Sequence, residues 1–519
     1  MEIPISLYTW GMALMPIVLV VVLMLVFQLG AVKAAPITLL AGCATAVLVF
    51  RASLELLVVE ILKGVWGAVS VIIVVFPAVL LYEVIKEARA LSVFRIKIQK
   101  ITSDRLLQVL AIGWVFVSFL QGITGFGVPI AVGAPLLLGI GLDPLMAVVI
   151  PMVGHAWGGT FGTLAVAWEQ LVAQTGLSGG QLRETAFYAC MFLWFWNFVS
   201  GMAVCWFYGK RQGIRKGWPA VVLISLIQGG GQVVLGQFNA TLACFIPSCL
   251  AFAAIPLLGR MKRYRSDGQK GEEKYGETFM DTFSMLFPYL LLTGITVGIL
   301  LTPPVKHFLE QWTISFSFPE TRTGYGIINP GVRRYSSLMP FTHAGMFLLL
   351  TAVSSYGYYC FRGFIGKGKG GILMARSLKK TSVPAVSVIC FIALSRVMSG
   401  SGQTQVLAKG ISFVMGEFYV VFAPIVGMTG SFMTSSTMSS NVLFGSFQMM
   451  TAKLLCVNIP AVLGAQTAGA SIGNAIAPSS VVLGLTTIDA PVKEGMILKK
   501  VFPMCLGCAV ILGISLLFL

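Results

Sequence analysis

Nine stretches of this chain contain no Asp, Glu, Lys or Arg, and their lengths constrain the fold more than any other feature. They are Gly11–Val32, Leu106–Leu142, Pro144–Trp168, Thr185–Gly209, Gly217–Gly259, Thr282–Val305, Phe418–Ala452, Leu454–Ile488 and Val501–Leu519. A helix needs about 20 apolar residues to cross a bilayer, and several stretches allow two crossings. The short alternating segments of a membrane β-barrel do not occur. The sequence therefore predicts an all-α integral membrane protein with about 12–14 transmembrane or re-entrant helices.

Composition excludes the main soluble classes. Charged residues make up 11% of the 519 residues, whereas soluble domains carry about 25%. The chain has no phosphate loop, no HExxH and no G-x-S-x-G motif, so we predict no enzyme and no cofactor. Cys505 and Cys508 form a C-x-x-C in the last apolar run without a second pair nearby, so we predict no metal site.

The formal net charge of +17 comes from basic clusters between the apolar runs, as in cytoplasmic loops, so we expect no nucleic-acid partner. The strongest clusters are Lys86–Arg105, Lys210–Lys216, Arg260–Lys274, Arg362–Lys380 and Lys493–Lys500. The positive-inside rule places all five in the cytoplasm. This predicts a multi-pass protein of the cell (plasma or inner) membrane, in contact with lipid, with its N-terminus and the polar segment Pro303–Leu338 outside.

The chain also repeats itself. Thr124-Gly125-Phe126 recurs as Thr429-Gly430-Ser431-Phe432, Ile150-Pro151 as Ile459-Pro460, and Gly159/Gly162 as Gly469/Gly473, all about 305–311 residues apart. An extra apolar segment, Val383–Met398, precedes the second copy and would start it from the opposite face. Inverted repeats of this kind are typical of alternating-access transporters, with the substrate near the midplane. The alternative is coincidental Gly/Pro similarity between membrane helices.

These patterns divide the chain into five parts. We predict N-terminal membrane helices (1–85), a first transport repeat (86–260), connecting helices and loops (261–380), a second, inverted transport repeat (381–500) and a C-terminal membrane helix (501–519).

Each copy contains backbone that a plain helix cannot accommodate. The first has three glycines and a proline within Gln121–Pro129, including the candidate binding residues Thr124, Gly125, Phe126 and Gly127. Glycine relaxes the backbone and proline removes a donor, so the helix should break here. Broken backbone at membrane depth survives where protein or a water-filled cavity satisfies it. The freed N–H groups at the start of the following helix attract anions.

The second copy is richer in hydroxyl and amide side chains, and none of its residues from Met428 to Asn441 is charged. Such a run in hydrocarbon needs partners, which a hydroxy acid or its water shell would supply. The alternative is that small residues let helices pack closely. The candidate binding residues are Thr429, Ser431, Thr434, Ser435, Ser439, Ser440, Asn441 and, downstream, Gln466.

Three ionisable residues are further candidates. His155 lies within a charge-free run and titrates near neutral pH, so it is a candidate for proton coupling, although a buried neutral His can equally bond a neighbouring helix. Glu169 is a second proton-coupling candidate, with an exposed helix end as the alternative. Arg396 interrupts an apolar segment and suits a carboxylate, or it snorkels to the interface.

Several of these motifs resemble the lactate permease family, which includes L-lactate and glycolate permeases. Gly125–Ala131 is similar to the family's GFGxPVA segment, and Gly430–Gly445 to its GSFLTGSxTSSNxLFG pattern; Met398–Gly402 and Ala477–Ser480 match further segments. Many members have an Asp where this chain has Ser436, and His155-Ala156-Trp157 also departs from the commoner form. The resemblance implies uptake of 2-hydroxymonocarboxylates with protons across a bacterial or archaeal plasma membrane.

The leading hypothesis is therefore a secondary transporter of lactate, glycolate or a similar acid, with a small organic anion and a proton as its ligands. One alternative is a sodium-coupled carrier of other carboxylates or sulfonates. Another is an anion channel or an intramembrane sensor. The sequence leaves the oligomeric state open.

Overall fold

The computed structural model describes residues 6–27, 29–90, 93, 102, 104–125, 127–264, 281–300, 302–366, 368–488 and 494–519. Helices dominate them. In chain order they are α1 Leu7–Leu25, α2 Ala31–Leu48, α3 Leu54–Glu87, α4 Arg105–Ile123, α5 Val128–Gly139, α6 Pro144–Ala156, α7 Gly162–Thr175, α8 Gly179–Ser225, α9 Phe245–Gly259, α10 Thr282–Leu300, α11 Pro303–Glu310, α12 Ala344–Phe361, α13 Gly370–Ser401, α14 Gln403–Met415, α15 Tyr419–Thr434, α16 Thr437–Leu454, α17 Ile459–Asn474, α18 Pro478–Ile488 and α19 Glu494–Ser515.

Within the described ranges, 12 helices are long and apolar enough to cross a membrane. The number rises to 13 if Pro144–Gly159 and Gly162–Thr175, bent by 49°, form one broken span. This confirms the prediction of an all-α membrane protein with about 12–14 segments. Two of the helices also carry irregular turns: α4 has a π-helical turn at Ala111–Phe116, and α8 is kinked at Gly209 and Lys210.

Matching caps begin the corresponding helices of the two copies. The Asp143 carboxylate accepts hydrogen bonds from the backbone N–H groups of Leu145 and Met146, and Pro144 opens α6. The Asn458 side chain accepts from Ala461 N at the start of α17, where Pro460 lies in the first turn. A polar N-cap followed by proline fixes the start of a helix, because proline at that position loses no hydrogen bond.

Glycines let the helices of each copy cross at backbone distance. A Cβ on Gly154 of α6 would lie 1.9 Å from Gly113 O of α4. In the second copy, a Cβ on Gly469 of α17 would lie 2.0 Å from Pro424 O of α15. Small residues at crossings are the usual means of packing membrane helices, where no hydrophobic effect drives them together. The two copies thus use the same packing device between corresponding helices.

The helices α3 and α13 form a long antiparallel pair. Glu87 pairs with Lys369 at one end of α3, and Glu60 pairs with Arg396 toward the other. Gly64 lies against the Ala393 backbone between these ends. At about 1.5 Å per residue, the 34 residues of α3 extend about 50 Å, more than the hydrocarbon core.

A small β-structured cap covers the Leu54 end of this pair. Strands β1 Ile314–Phe318 and β4 Val332–Leu338 pair antiparallel, as do β2 Thr321–Arg322 and β3 Ile328–Asn329. Trp66 Nε1 donates to Ser336 O at 3.0 Å, and Asn329 Nδ2 donates to Gly400 O at 2.9 Å. These strands lie in the polar segment Pro303–Leu338, for which the sequence predicted an outside location but no strands.

Several of the basic clusters contact one another or a shared acid. Lys216 pairs with Asp104, and Arg263 Nε donates to Lys216 O at 3.0 Å. Lys369 and Arg376 both pair with Glu87, at the end of α3 opposite the cap. The cytoplasmic location of these clusters stays a prediction. The outside location of the N-terminus stays a prediction.

The repeat and the division into five parts also stay predictions. Both copies have a broken helix followed by a proline-initiated helix, but their opposite orientation is not tested by these observations. Three helices run through proposed boundaries: α3 continues past 85, α13 past 380 and α19 past 500.

Replacement of Gly469 by Ala tests the glycine crossing. Because the added methyl group would clash with Pro424 O, we expect a loss of about 1–3 kcal/mol in stability. The matched control is Gly294→Ala in α10, where nothing lies within 4 Å. Thermal unfolding of the purified protein in detergent measures both. Equal melting temperatures for the two variants would contradict the crossing.

Candidate functional site

The first helix break lies where the glycines and the proline predict it. Helix α4 ends at Ile123, and the Thr124 hydroxyl turns back to Leu120 O at 2.9 Å. Gly125 and Gly127 have φ values of 54° and 82°, a left-handed conformation that favours glycine. Helix α5 starts at Val128 with Pro129 in its first turn. Phe126, the remaining candidate of this group, lies outside the described residues.

The second break separates α15 from α16 at Ser435 and Ser436. Ser435 has a φ of 56°, a strained value for a residue with a side chain. Ser436 caps α16, since its hydroxyl accepts from Ser439 N at 3.2 Å. The Thr434 hydroxyl donates to Gly430 O at 2.8 Å and to Ser436 O at 3.1 Å. Both serines of the break are partly exposed, so this backbone is open to a ligand or water.

Hydroxyl and amide groups join the two copies beside this break. Thr160 Oγ1 shares hydrogen bonds with Thr467 Oγ1 at 2.9 Å and with Ser471 Oγ at 2.8 Å. Asn441 Nδ2 donates to the same Thr467 hydroxyl at 2.8 Å and to Ala167 O at 2.9 Å. All five residues are buried, and the bonds connect α16 and α17 with the first copy.

A second chain of amides extends the network along α15–α17. Tyr419 OH donates to Gln448 Oε1 at 2.6 Å, and Gln448 Nε2 donates to Gln466 Oε1 at 2.9 Å. Gln466 Nε2 in turn donates to Ser440 Oγ at 3.2 Å. Sequence reasoning named Gln466 and Ser440 but missed Tyr419 and Gln448. Both lie in the charge-free run Phe418–Ala452, where many other polar residues gave no reason to single them out.

Two acceptors near the break have no partner within the described ranges. They are Asn441 Oδ1 and Ser431 Oγ, both on fully buried residues. A buried polar atom left unpaired costs about 1–3 kcal/mol, so such atoms mark places for water or a ligand. Of the other candidates, Ser439 is buried and Thr429 is half-buried.

The segment Trp157–Ala165 lies between the two breaks. A Cβ on Gly125 would lie 2.0 Å from Thr163 Oγ1, and one on Gly159 would lie 2.6 Å from Thr437 Oγ1. Each break therefore contacts this segment. Thr163, Leu164 and Ala165 have φ values of 51°, 53° and 68°, a left-handed turn of three non-glycine residues that the sequence did not reveal.

The three ionisable candidates lie around this network. His155 is 2% exposed, and its Nδ1 is 2.6 Å from Pro151 O, a bond within its own helix. Glu169 is exposed on α7 and forms no ion pair with any described residue. Arg396 donates to Glu60 and not to a residue of either break.

A cavity of about 820 Å³ leads to the first break from the basic end of α3. Helices α3, α5, α13 and α18 form its walls, and Gly127 lies on them. Lys86, Arg89 and Lys380 line the same cavity, and Lys380 is paired with the buried Glu83. A cleft with a surplus of one sign of charge concentrates ligands of the opposite sign, so the remaining positive charge favours small anions.

Many apolar helices, two broken helices and a buried, uncharged polar network are the features of a membrane transporter for a small polar solute. Comparison with known proteins gives the particular family. The L-lactate permease family profile matches residues 11–519, and the chain belongs to this family.

Curated relatives are similar over almost their whole length. An L-lactate permease of Halalkalibacterium halodurans is 26% identical, over 98% of this chain and 97% of that protein. An L-lactate permease of Salmonella typhimurium is 25% identical, over 93% and 90% of the two chains. Glycolate permease GlcA of Escherichia coli is 24% identical, over 97% and 94%. The relatives are permeases, so this chain is a multi-pass membrane transporter and not an enzyme.

Among solved structures, the YdaH transporter of Alcanivorax borkumensis matches 86% of this chain and 85% of its own. The TM-score is 0.41 and the identity 14%, which is too low to support any conclusion about this chain.

Cysteine labelling tests which side the cavity opens to. In a Cys456→Ser background, chosen because Cys456 is exposed, we expect Thr487→Cys on the cavity wall to react with a membrane-impermeant maleimide only from the cytoplasmic side. The matched control is Ser317→Cys, exposed on β1 of the cap, which should react only from outside. Labelling of both positions from the same side would contradict the orientation.

Proposed function

We propose that this chain takes up a small 2-hydroxymonocarboxylate, such as lactate or glycolate, across the plasma membrane by proton symport. The names of the curated relatives support the substrate class. The proposed orientation has the N-terminus outside and the cation-lined cavity open to the cytoplasm.

The observation that carries the proposal is the pair of unpaired acceptors beside the second break. Lactate and glycolate each carry a hydroxyl next to a carboxylate, so they bring one donor and one anion. Asn441 Oδ1 is a buried acceptor in need of a donor, which the 2-hydroxyl supplies. Ser431 Oγ, also unpaired, has room for a further bond.

In the proposed site the carboxylate is held by backbone N–H groups at the start of α16, because Val128 N and Ile130 N at the start of α5 already donate to Gly125 O and Gly127 O and Pro129 has no N–H. The unsatisfied N–H groups of a first helical turn attract anions without bringing a full charge into the membrane. Hydroxyls and amides of both copies complete the site. We assign to it Thr124, Gly125, Phe126 and Gly127 from the first copy, and Thr429, Ser431, Thr434, Ser435, Ser439, Ser440, Asn441 and Gln466 from the second.

For the proton we favour Glu169 over His155. A carboxylate on a membrane helix without a cationic partner is costly when ionised, and a proton removes that cost. Nδ1 of His155 is already engaged by Pro151 O, which leaves one ring nitrogen for exchange. Glu169 lies two residues after Ala167, whose carbonyl accepts from Asn441, so protonation and substrate binding would meet on one short segment.

Uptake into proteoliposomes tests the transport claim. When the solution outside the vesicles is more acidic than the inside, we expect purified protein to accumulate labelled L-lactate above the equilibrium level. Replacement of sodium by choline should leave this uptake unchanged. Asn441→Ala should reduce the uptake rate by about tenfold or more, since it removes two buried hydrogen bonds and the free acceptor. Thr486→Ala, exposed on α18, is the control.

Accumulation that required sodium would replace the proton by sodium as the coupling ion. Flux without accumulation would indicate a channel. Normal uptake by Asn441→Ala would show that the substrate site does not lie at Asn441.

Glu169→Gln separates coupling from binding. Because glutamine keeps the shape but cannot exchange a proton, we expect this variant to lose accumulation driven by the pH gradient and to keep exchange of labelled for unlabelled lactate. His155→Gln should retain both activities. The opposite pattern would assign the proton to His155.

A further inference from the structure

A cluster of two cations and one carboxylate lies between α3 and α13 beneath the β cap. Lys63 Nζ is 2.7 Å from Glu60 Oε1, and Arg396 Nη2 is 2.9 Å from Glu60 Oε2. The side chains of Glu60 and Lys63 are 0% and 3% exposed, whereas that of Arg396 is 20% exposed. Part of the Arg396 side chain is therefore accessible, and the rest of the cluster is enclosed.

The cluster carries one positive charge more than it can neutralise. Both Glu60 oxygens are used by the two cations, and the described residues supply no second carboxylate to either. The carbonyl end of α13, which stops at Ser401, offsets about half a charge at most. A buried charge without a partner is unfavourable, so an anion that reaches this place would be bound.

Neighbouring residues shape the cluster for a ligand. A Cβ on Gly400 would lie 2.7 Å from Glu60 Cγ, so the glycine makes room for the carboxylate. The aromatic ring of Tyr335 in β4 lies 5.5 Å from the Arg396 guanidinium carbon and 5.9 Å from Lys63 Nζ. Cation–π contacts orient the cations but add no negative charge to compensate them. The cap thus covers the cluster without neutralising it.

The cluster is connected to the polar network of the second break. Ser395, next to Arg396, donates to Val442 O at 2.7 Å, and Val442 follows Asn441. Ser395 Oγ also lies 3.2 Å from Gln174 Oε1 on α7. An anion bound to Arg396 would therefore lie next to Ser395, the residue that contacts the helices of the proposed substrate site.

We propose that Glu60, Lys63 and Arg396 form an outer binding site for a single carboxylate, which selects monoanionic acids before they reach the break. This inference rests on the proposed function, because it takes the transported acid as the ligand. The net charge of +1 is neutralised by one carboxylate. A dicarboxylate would bring a second, uncompensated negative charge into the same enclosure, so it is rejected.

The chain offers a matched control cluster at the other end of the same helix pair. Glu87 pairs with Lys369 at 2.5 Å and with Arg376 at 3.4 Å, which again gives two cations and one carboxylate. Their side chains are 22%, 47% and 54% exposed, so water and salt compensate the surplus charge there. Removal of one cation from this cluster should not affect binding of the substrate.

Equilibrium binding of labelled L-lactate to the purified protein tests the proposal independently of transport. The binding variants are made in an Asn441→Ala background, so that the proposed site at the second break does not hide binding at the outer one. In this background, Lys63→Met leaves the Glu60–Arg396 pair intact but makes the cluster neutral, and we expect lactate to bind at least about tenfold more weakly. Lys63→Arg keeps the charge and should bind as the background protein does. Lys369→Met is the control and should also bind normally. Size-exclusion profiles show that each variant is folded.

The double variant Glu60→Gln/Lys63→Met distinguishes charge from structure, because it restores the net charge of +1 while it removes the original ion pairs. We expect it to recover lactate binding relative to Lys63→Met. Glu60→Gln alone has a charge of +2 and should gain affinity for succinate. Unchanged lactate binding by Lys63→Met would overturn the proposal, as would a double variant that folds and binds no better than Lys63→Met. Wild-type protein that binds lactate without accumulating it would instead overturn only the proposed transport.

Discussion

The structure depends on one constraint: backbone that leaves the helix inside a membrane must have its hydrogen bonds satisfied by the protein or by what enters a cavity. Both broken helices satisfy part of this requirement locally. Ser436 caps α16 with its own hydroxyl, and Thr434 closes the end of α15 against Gly430 O. The close packing of the helices follows from this hydrogen-bonding constraint, since the breaks can be enclosed only if neighbouring helices approach closely. Gly154 and Gly469 allow this approach at corresponding crossings. The unpaired Asn441 Oδ1 is then the exception that points to a ligand.

The protein separates its fixed charges from its polar, uncharged centre. Full charges concentrate at the two ends of the α3–α13 pair, while the network around Asn441 contains hydroxyls and amides. A substrate anion would therefore meet charge on the way in and neutral donors at the centre. Tight binding by a full charge at midplane would slow release, whereas backbone N–H groups bind anions more weakly. This separation of charged and uncharged regions suits a protein that must both bind and release its ligand.

Much of the fold and part of the site could be predicted from the sequence, because lipid imposes simple rules on length and charge. The runs without charged residues gave the helices, and glycine next to proline gave the break at Gly125–Pro129. The left-handed turn at Thr163–Ala165 could not be predicted, since none of its residues prefers that conformation and only the contacts of the folded chain impose it. Arg396 was recognised, but its partner Glu60 lies 336 residues away, and periodicity carries no information on such pairs. The short strands of the cap could not be predicted either, because periodicity does not reveal which segments pair with each other.

The antiparallel α3–α13 pair is fastened differently at its two ends, and this gives the pair a direction of opening. At the Glu87 end, the cations are about half exposed, so dissolved ions weaken their attraction over a distance of about 8–10 Å. At the Glu60 end, the charges are largely enclosed under the cap, so electrolyte weakens their attraction less. We therefore expect the two helices to separate more readily on the side of the cation-lined cavity, with the capped end as the pivot. The pair would then open as a hinge whose fixed end lies beneath the strands of the cap.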